Sequence, residues 1–155
     1  MYPYVRFGAM IAVSTAVMYS LTYLNVYQVS HIHWSETRVY MALLMGSAMA
    51  VIMLSFMLHM YKVRLANVAI LAVSALIFAG ALYLVRSQTT VEDTSWMKAM
   101  IPHHSIAILT SERAQLADPR VRDLAARIIE AQRREIDEME ALINDLEGES
   151  AGPSN

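Results

Sequence analysis

Three long apolar stretches fill the first half of the chain and limit what it can become. They run over about residues 7–26, 40–60 and 66–85, and none carries Asp, Glu, Lys or Arg in its middle. About 20 helical residues cross a bilayer core, and a helix satisfies its own backbone polar groups inside lipid. Each stretch is therefore expected to be a transmembrane helix. The first is too long an apolar run for a signal peptide, and no small-residue cleavage site follows it. Tyr23, Tyr27, Trp34, Tyr40, Tyr61 and Tyr83 fall near the expected ends, as interfacial aromatics do.

Composition agrees, with 56% hydrophobic and 17% charged residues, a balance outside that of ordinary soluble domains. Charge is also unevenly spread. Glu36 alone opposes Arg6, Arg38, Lys62, Arg64 and Arg86 in residues 1–86, whereas residues 87–155 hold thirteen acidic and seven basic side chains. No basic patch suits nucleic acid, so such a partner is not expected. Lys62 and Arg64 make the loop between the second and third stretches the densest basic one. By the positive-inside rule that loop is cytoplasmic. The N-terminus is then also inside, while the loop 28–39 and everything after the third span lie outside, in a periplasm or extracellular space. The reading is an integral protein of an inner or plasma membrane.

Outside the membrane domain (1–86), the sequence predicts a two-helix hairpin over 87–148 and a disordered tail over 149–155. Thr90 with Asp93 resembles a capping box. The first helix is expected to reach about Ala117 and to be kinked or interrupted at Pro102, which cannot donate to the Lys98 carbonyl. Asp118-Pro119 is a restart signal, an Asp N-cap before Pro at the first helical position. The second helix carries an apolar stripe from Val121 to Leu146 at 3.6-residue spacing, and Gly148 is expected to end it. One hairpin cannot bury both apolar stripes alone. The all-α fold expected is thus three spans plus a hairpin, completed to a four-helix bundle by dimerisation. Packing on the membrane surface or on the chain's own loop 28–39 is the alternative.

The residues that carry chemistry gather at Trp96–His104. Met97, Met100 and His104 share a face of the first helix, and His103 points about 100° away from His104. Imidazole and thioether together suit soft or borderline metals, and cysteine is absent, so thiolates are not available. Glu135 and Met139 on the second helix form a neighbouring group, in which Glu135 could orient an imidazole from behind or bind a metal itself. Alternatively the histidines cap the Pro102 break and the methionines fill core gaps.

The ordered string Met100-Ile101-Pro102-His103-His104, Ala107-Ile108, Asp118-Pro119, Leu124-Ala125, Gln132, Glu135-Ile136 and Met139 resembles the domain-of-unknown-function 305 family over about residues 92–146. The resemblance implies an extracytoplasmic, ferritin-like helical domain, associated in some members with copper, and identifies Met100, His103, His104, Glu135 and Met139 as its motif positions. Longer members carry two His-bearing hairpins and this chain has one. A second chain would have to supply the rest of a bundle, with the site at the dimer interface.

In the second span Met41, Met45, Met49, Met53 and Met57 recur every fourth residue, beside Ala42, Gly46 and Ala50. The ordinary reading is a packing ridge along a small-xxx-small seam. The other is a thioether track for Cu(I), with His31 and His33 at the outer mouth and His59 at the inner end. Together these features lead to an expected membrane-anchored metal-binding protein, with a copper ion held for capture or homeostasis and an unidentified metal-handling protein as a further partner. An anchored, ligand-free structural or interaction module is the alternative. The chain has no Glu-x-x-His, which a di-iron oxidase needs on facing helices, so no enzymatic activity is expected.

Overall fold

The computed structural model describes residues 2–150. It is all-α, with five helices: α1 (Tyr2–Leu21), α2 (Glu36–Phe56), α3 (Arg64–Ser87), α4 (Asp93–Arg113) and α5 (Pro119–Ser150), plus a 3₁₀ turn at Val29–His31. Three of these, over Pro3–Leu21, Glu36–Phe56 and Arg64–Ser87, are long and apolar enough to cross a membrane. The first begins and ends some five residues earlier than the apolar run suggests, because Thr22 to Asn25 form turns. The chain divides into two compact units: residues 1–22 with 37–90, and residues 23–36 with 91–155.

In the first unit, Phe7, Ala50, Leu54 and Tyr61 form a buried core. Tyr61 makes tilted and edge-on contacts with Tyr4 and Phe7, at centroid distances of 5.1 and 5.4 Å. Tyr4 Oη accepts the Val63 amide at 3.0 Å, and Asn67 Nδ2 donates to the Tyr61 carbonyl at 2.7 Å. These bonds satisfy backbone groups in the turn between α2 and α3. Arg38 Nη1 donates to the Thr22 carbonyl at 3.0 Å just past the end of α1, where a cation is favourable. Ala42, Gly46 and Ala50 are buried, and a Cβ added at Gly46 would run into the Thr15 hydroxyl. The small residues of α2 are therefore the seam on which α1 lies. α3 ends at Gln88, held in the left-handed region at φ 53°.

In the second unit α4 and α5 lie side by side and run in opposite directions. Lys98 pairs with Glu147 at one end and Glu112 with Arg133 at the other. Met97, Ile101 and Ile108 interlock with Ile136, Met139 and Ile143 between them. The loop segment 23–36 packs on this pair. Tyr27 N–H donates to Ser105 Oγ at 2.6 Å, His31 Nδ1 is 2.9 Å from the same oxygen, and Ser95 donates to the Glu36 carboxylate. The chain's own loop thus supplies cover that the apolar stripes require.

Local expectations were corrected in three places. Glu92, not Thr90, caps α4, without a side-chain bond, while Thr90 is hydrogen-bonded to Tyr40. α4 stops at Arg113 and runs on through Pro102, which is buried and packed in the helix. α5 continues past Gly148 to Ser150, because a glycine only weakens a helix that has no other stop signal. The Asp118 cap is present: its Oδ1 accepts the Arg120 amide at 2.8 Å. Bonds from Arg120 hold that carboxyl below its ordinary value of 3.8. The tail expected over 149–155 lies, for residues 151–155, outside the described residues.

Candidate functional site

Pro102 removes one amide from α4, yet the helix continues and sets His104 one turn after Met100. His104 Nδ1 is 2.9 Å from the Met100 carbonyl oxygen. A carbonyl only accepts, so Nδ1 carries the hydrogen and Nε2 is left to face outward from the backbone. Glu135 meets it from α5, with Oε2 at 2.8 Å from His104 Nε2. The same oxygen accepts a longer bond of 3.4 Å from Gln132 Nε2. The imidazole is well covered, with 13% of its side chain exposed, while Glu135 keeps 45%. The pair is reachable from one side.

The donor set fits a borderline metal ion. Imidazole nitrogen and carboxylate oxygen bind such ions at about 2.0–2.2 Å, so two ligands on one ion lie about 3 Å apart when set at right angles. The observed 2.8 Å separation needs little adjustment. A ligating histidine normally donates its other ring N–H to a carbonyl or carboxylate, and the Met100 carbonyl serves that purpose. Among the described residues, however, no three His, Asp or Glu side chains come together as a cluster able to hold a metal. One chain thus sets a pair of hard or borderline donors together, and the described residues bring no third His, Asp or Glu to them.

The other motif residues divide between core and surface. His103 is exposed, its ring 6.2 Å from that of His104 and inclined at 64°. Met100 is partly buried against the core. Met97 and Met139, at 5% and 7% exposure, are members of the hydrophobic core between α4 and α5. Their thioethers fill space between helices, as polarizable side chains do.

The methionine ladder of α2 shows no single face. Met41 is exposed, and Met45, Met49, Met53 and Met57 are half-buried. A repeat of four advances about 400° and so drifts round the helix by about 40° a step. Its Ala42, Gly46 and Ala50 neighbours form the buried seam. His59 is exposed just after α2. His31 is buried and hydrogen-bonded to Ser105. His33 is half-buried, and its Nε2 is enclosed without a hydrogen-bond partner among the described residues. Loss of water lowers the His33 pKa from its ordinary 6.5, against the upward pull of Glu140.

Ser105 is the residue whose importance sequence reading passed over. It is fully buried, and its hydroxyl meets both the Tyr27 amide and the His31 ring. Its signal was a hydroxyl set on the Ile101–Ile108 face of α4, where a polar group must find a partner.

A protein from Acanthamoeba polyphaga mimivirus described as "Uncharacterized protein L153" is 38% identical to this chain over 65 residues, 41% of this chain and 43% of the relative. The chain thus spans less than half the length of that relative. No solved structure matches. Residues 83–154, which carry α4, α5 and the His104–Glu135 pair, match the family described as Domain of unknown function (DUF305).

Proposed function

We propose that the α4–α5 pair is an extracytoplasmic hairpin that captures a soft or borderline metal ion, with copper the first candidate, for homeostasis at the membrane. The observation that carries this reading is the orientation of His104. Its Nδ1–H is held by the Met100 carbonyl, and its Nε2 is set against the Glu135 carboxylate. Helices α1 to α3 anchor the hairpin with the N-terminus cytoplasmic, as the basic loop at Lys62 and Arg64 argues. His104 and Glu135 would hold the ion, and His103 and the Met100 thioether are the nearest additional donors in sequence. Imidazole and thioether favour copper over harder ions.

When bound, the ion would add cross-linking between α4 and α5 at the middle of the pair. The protein's part is to keep Nε2 free of hydrogen by holding Nδ1–H on a backbone oxygen, and to keep one side open to water. The ferritin-like resemblance and the exposed leucines of α5 support a second chain completing the bundle. Full-length protein in detergent, loaded with Cu(I) or Ag(I) and freed of excess, should retain metal, and His104→Ala and Met100→Ala should each lose part of it. Unchanged stoichiometry in both variants would sink the reading.

A second reading is an anchored interaction module without a ligand. It is favoured by the lack of a three-donor cluster among the described residues. It predicts identical thermal unfolding with and without Cu(I) or Ag(I).

A further inference from the structure

Five large apolar side chains of α5 stay exposed, Val121 and four more, and those four form a pattern that reads the same in both directions. Leu124, Ile128, Leu142 and Leu146 are 48%, 36%, 47% and 38% exposed. At about 100° per residue, these four and Glu135 fall within an arc of roughly 40°. Leu124 and Leu146 each lie eleven residues from Glu135, and Ile128 and Leu142 each lie seven. Spacings of 7 and 11 return a helix to nearly the same face, at about two and three turns. The centre of the stripe is thus the carboxylate that meets His104.

Charge along α5 has the opposite symmetry. Residues 119–134 carry Arg120, Arg122, Arg127, Arg133 and Arg134 against Asp123 and Glu130, while residues 135–147 carry six acids and no base. A parallel pairing of two such helices sets like charge against like. An antiparallel pairing sets the basic half of each against the acidic half of the other. The Asp123–Arg127 pair, at 3.0 Å, is exposed and so holds those charges in place only weakly. The flank near Arg133 is occupied by Tyr27 of the loop segment, whose ring lies 5.7 Å from that guanidinium. The leucine stripe lies on the other flank, where its four side chains keep between 36% and 48% of their surface exposed.

We propose that α5 pairs antiparallel with α5 of a second copy about a two-fold axis beside Glu135, and that the two His104–Glu135 pairs meet there as one metal site shared by two chains. Leu124 then packs against Leu146 of the copy and Ile128 against Leu142. Two carboxylates brought together on an apolar surface repel unless a cation or a proton lies between them. The ion therefore favours the pairing, and the pairing brings four donors together where one chain holds two. The shared site rests on the metal-capture reading above, whereas the helix pairing rests on the stripe and the charges alone.

The chain has no cysteine, which makes the test clean. Full-length Leu124→Cys and Leu146→Cys chains, each with its own tag, are co-expressed in detergent-soluble form and treated with a short bismaleimide. Cross-linked species carrying both tags are expected in large excess over those carrying two copies of either tag. Equal or dominant Leu124→Cys self-cross-linking overturns the antiparallel pairing. Cu(I) loading of the unmodified protein should reach one ion per two chains, and Glu135→Gln should weaken retention at least tenfold while the mixed cross-link persists. One ion per chain without the mixed cross-link overturns the shared site and leaves metal capture standing. The mixed cross-link without any retained ion overturns the shared site together with metal capture.

Discussion

His104 Nε2 sits 2.8 Å from Glu135 Oε2 while His104 Nδ1 is committed to the Met100 carbonyl. The backbone bond takes the hydrogen of a neutral imidazole, so the contact with an ionised carboxylate closes only if one further proton is shared. On the metal-capture reading proposed above, a metal ion takes the place of that proton. Donors held in place from behind lose less freedom on binding, which is how supporting hydrogen bonds raise affinity.

Replacing Glu135 by Gln keeps the shape and removes the charge. Retention of Cu(I) is expected to fall by about 10- to 100-fold, the range typical of losing a group that supports or joins a metal site. A competition titration against a chromophoric chelator reads this directly, and an affinity equal to that of the unaltered protein would remove Glu135 from the site.

Ser105→Ala leaves the Tyr27 amide and the His31 ring without their common partner. Removing one side of a buried hydrogen bond costs about 1–3 kcal/mol. The effect should be local: hydrogen exchange over residues 23–36 rises, while exchange in the middle of α5 changes little. Uniform acceleration through α4 and α5 would instead mean that Ser105 supports the whole unit.

Acidification should loosen the same segment through His33. Burial lowers its pKa below 6.5; Lys98 on α4 and His31 on the loop act in the same direction, opposed by Glu140 and Glu147 on α5. A histidine harder to protonate when packed binds fewer protons folded than unfolded. Its packing is therefore fully favourable above about 6.5 and is lost as pH falls below that value. Exchange of residues 28–36 measured between about pH 5 and pH 8 should rise at the acid end, and His33→Phe should flatten the profile.

Gly46→Ala tests the seam between α1 and α2. The added methyl group meets the Thr15 side chain, and overfilling a close contact costs about 1–3 kcal/mol. The melting temperature in detergent should fall, and Thr15→Ala in the same chain should restore part of it. Additive losses would show that the two positions do not touch.

Much of this molecule is written locally. Apolar length alone specified α1, α2 and α3, since a run of some 20 residues without charge has few other folds. Asp118-Pro119 gave the start of α5 for the same reason: a cap and a fixed φ act within four residues. The motif was legible as a set of donors, but its use was not. Met97 and Met139 have the same chemistry as Met100, and only the meeting of α4 and α5 put them in the core. His31 and His33, two residues apart, were sent to different environments by one buried hydroxyl far along the chain. The exact end of α4, the passage of α5 through Gly148 and the pairing of His104 with Glu135 depended on packing between segments, an energy that no single stretch of sequence contains.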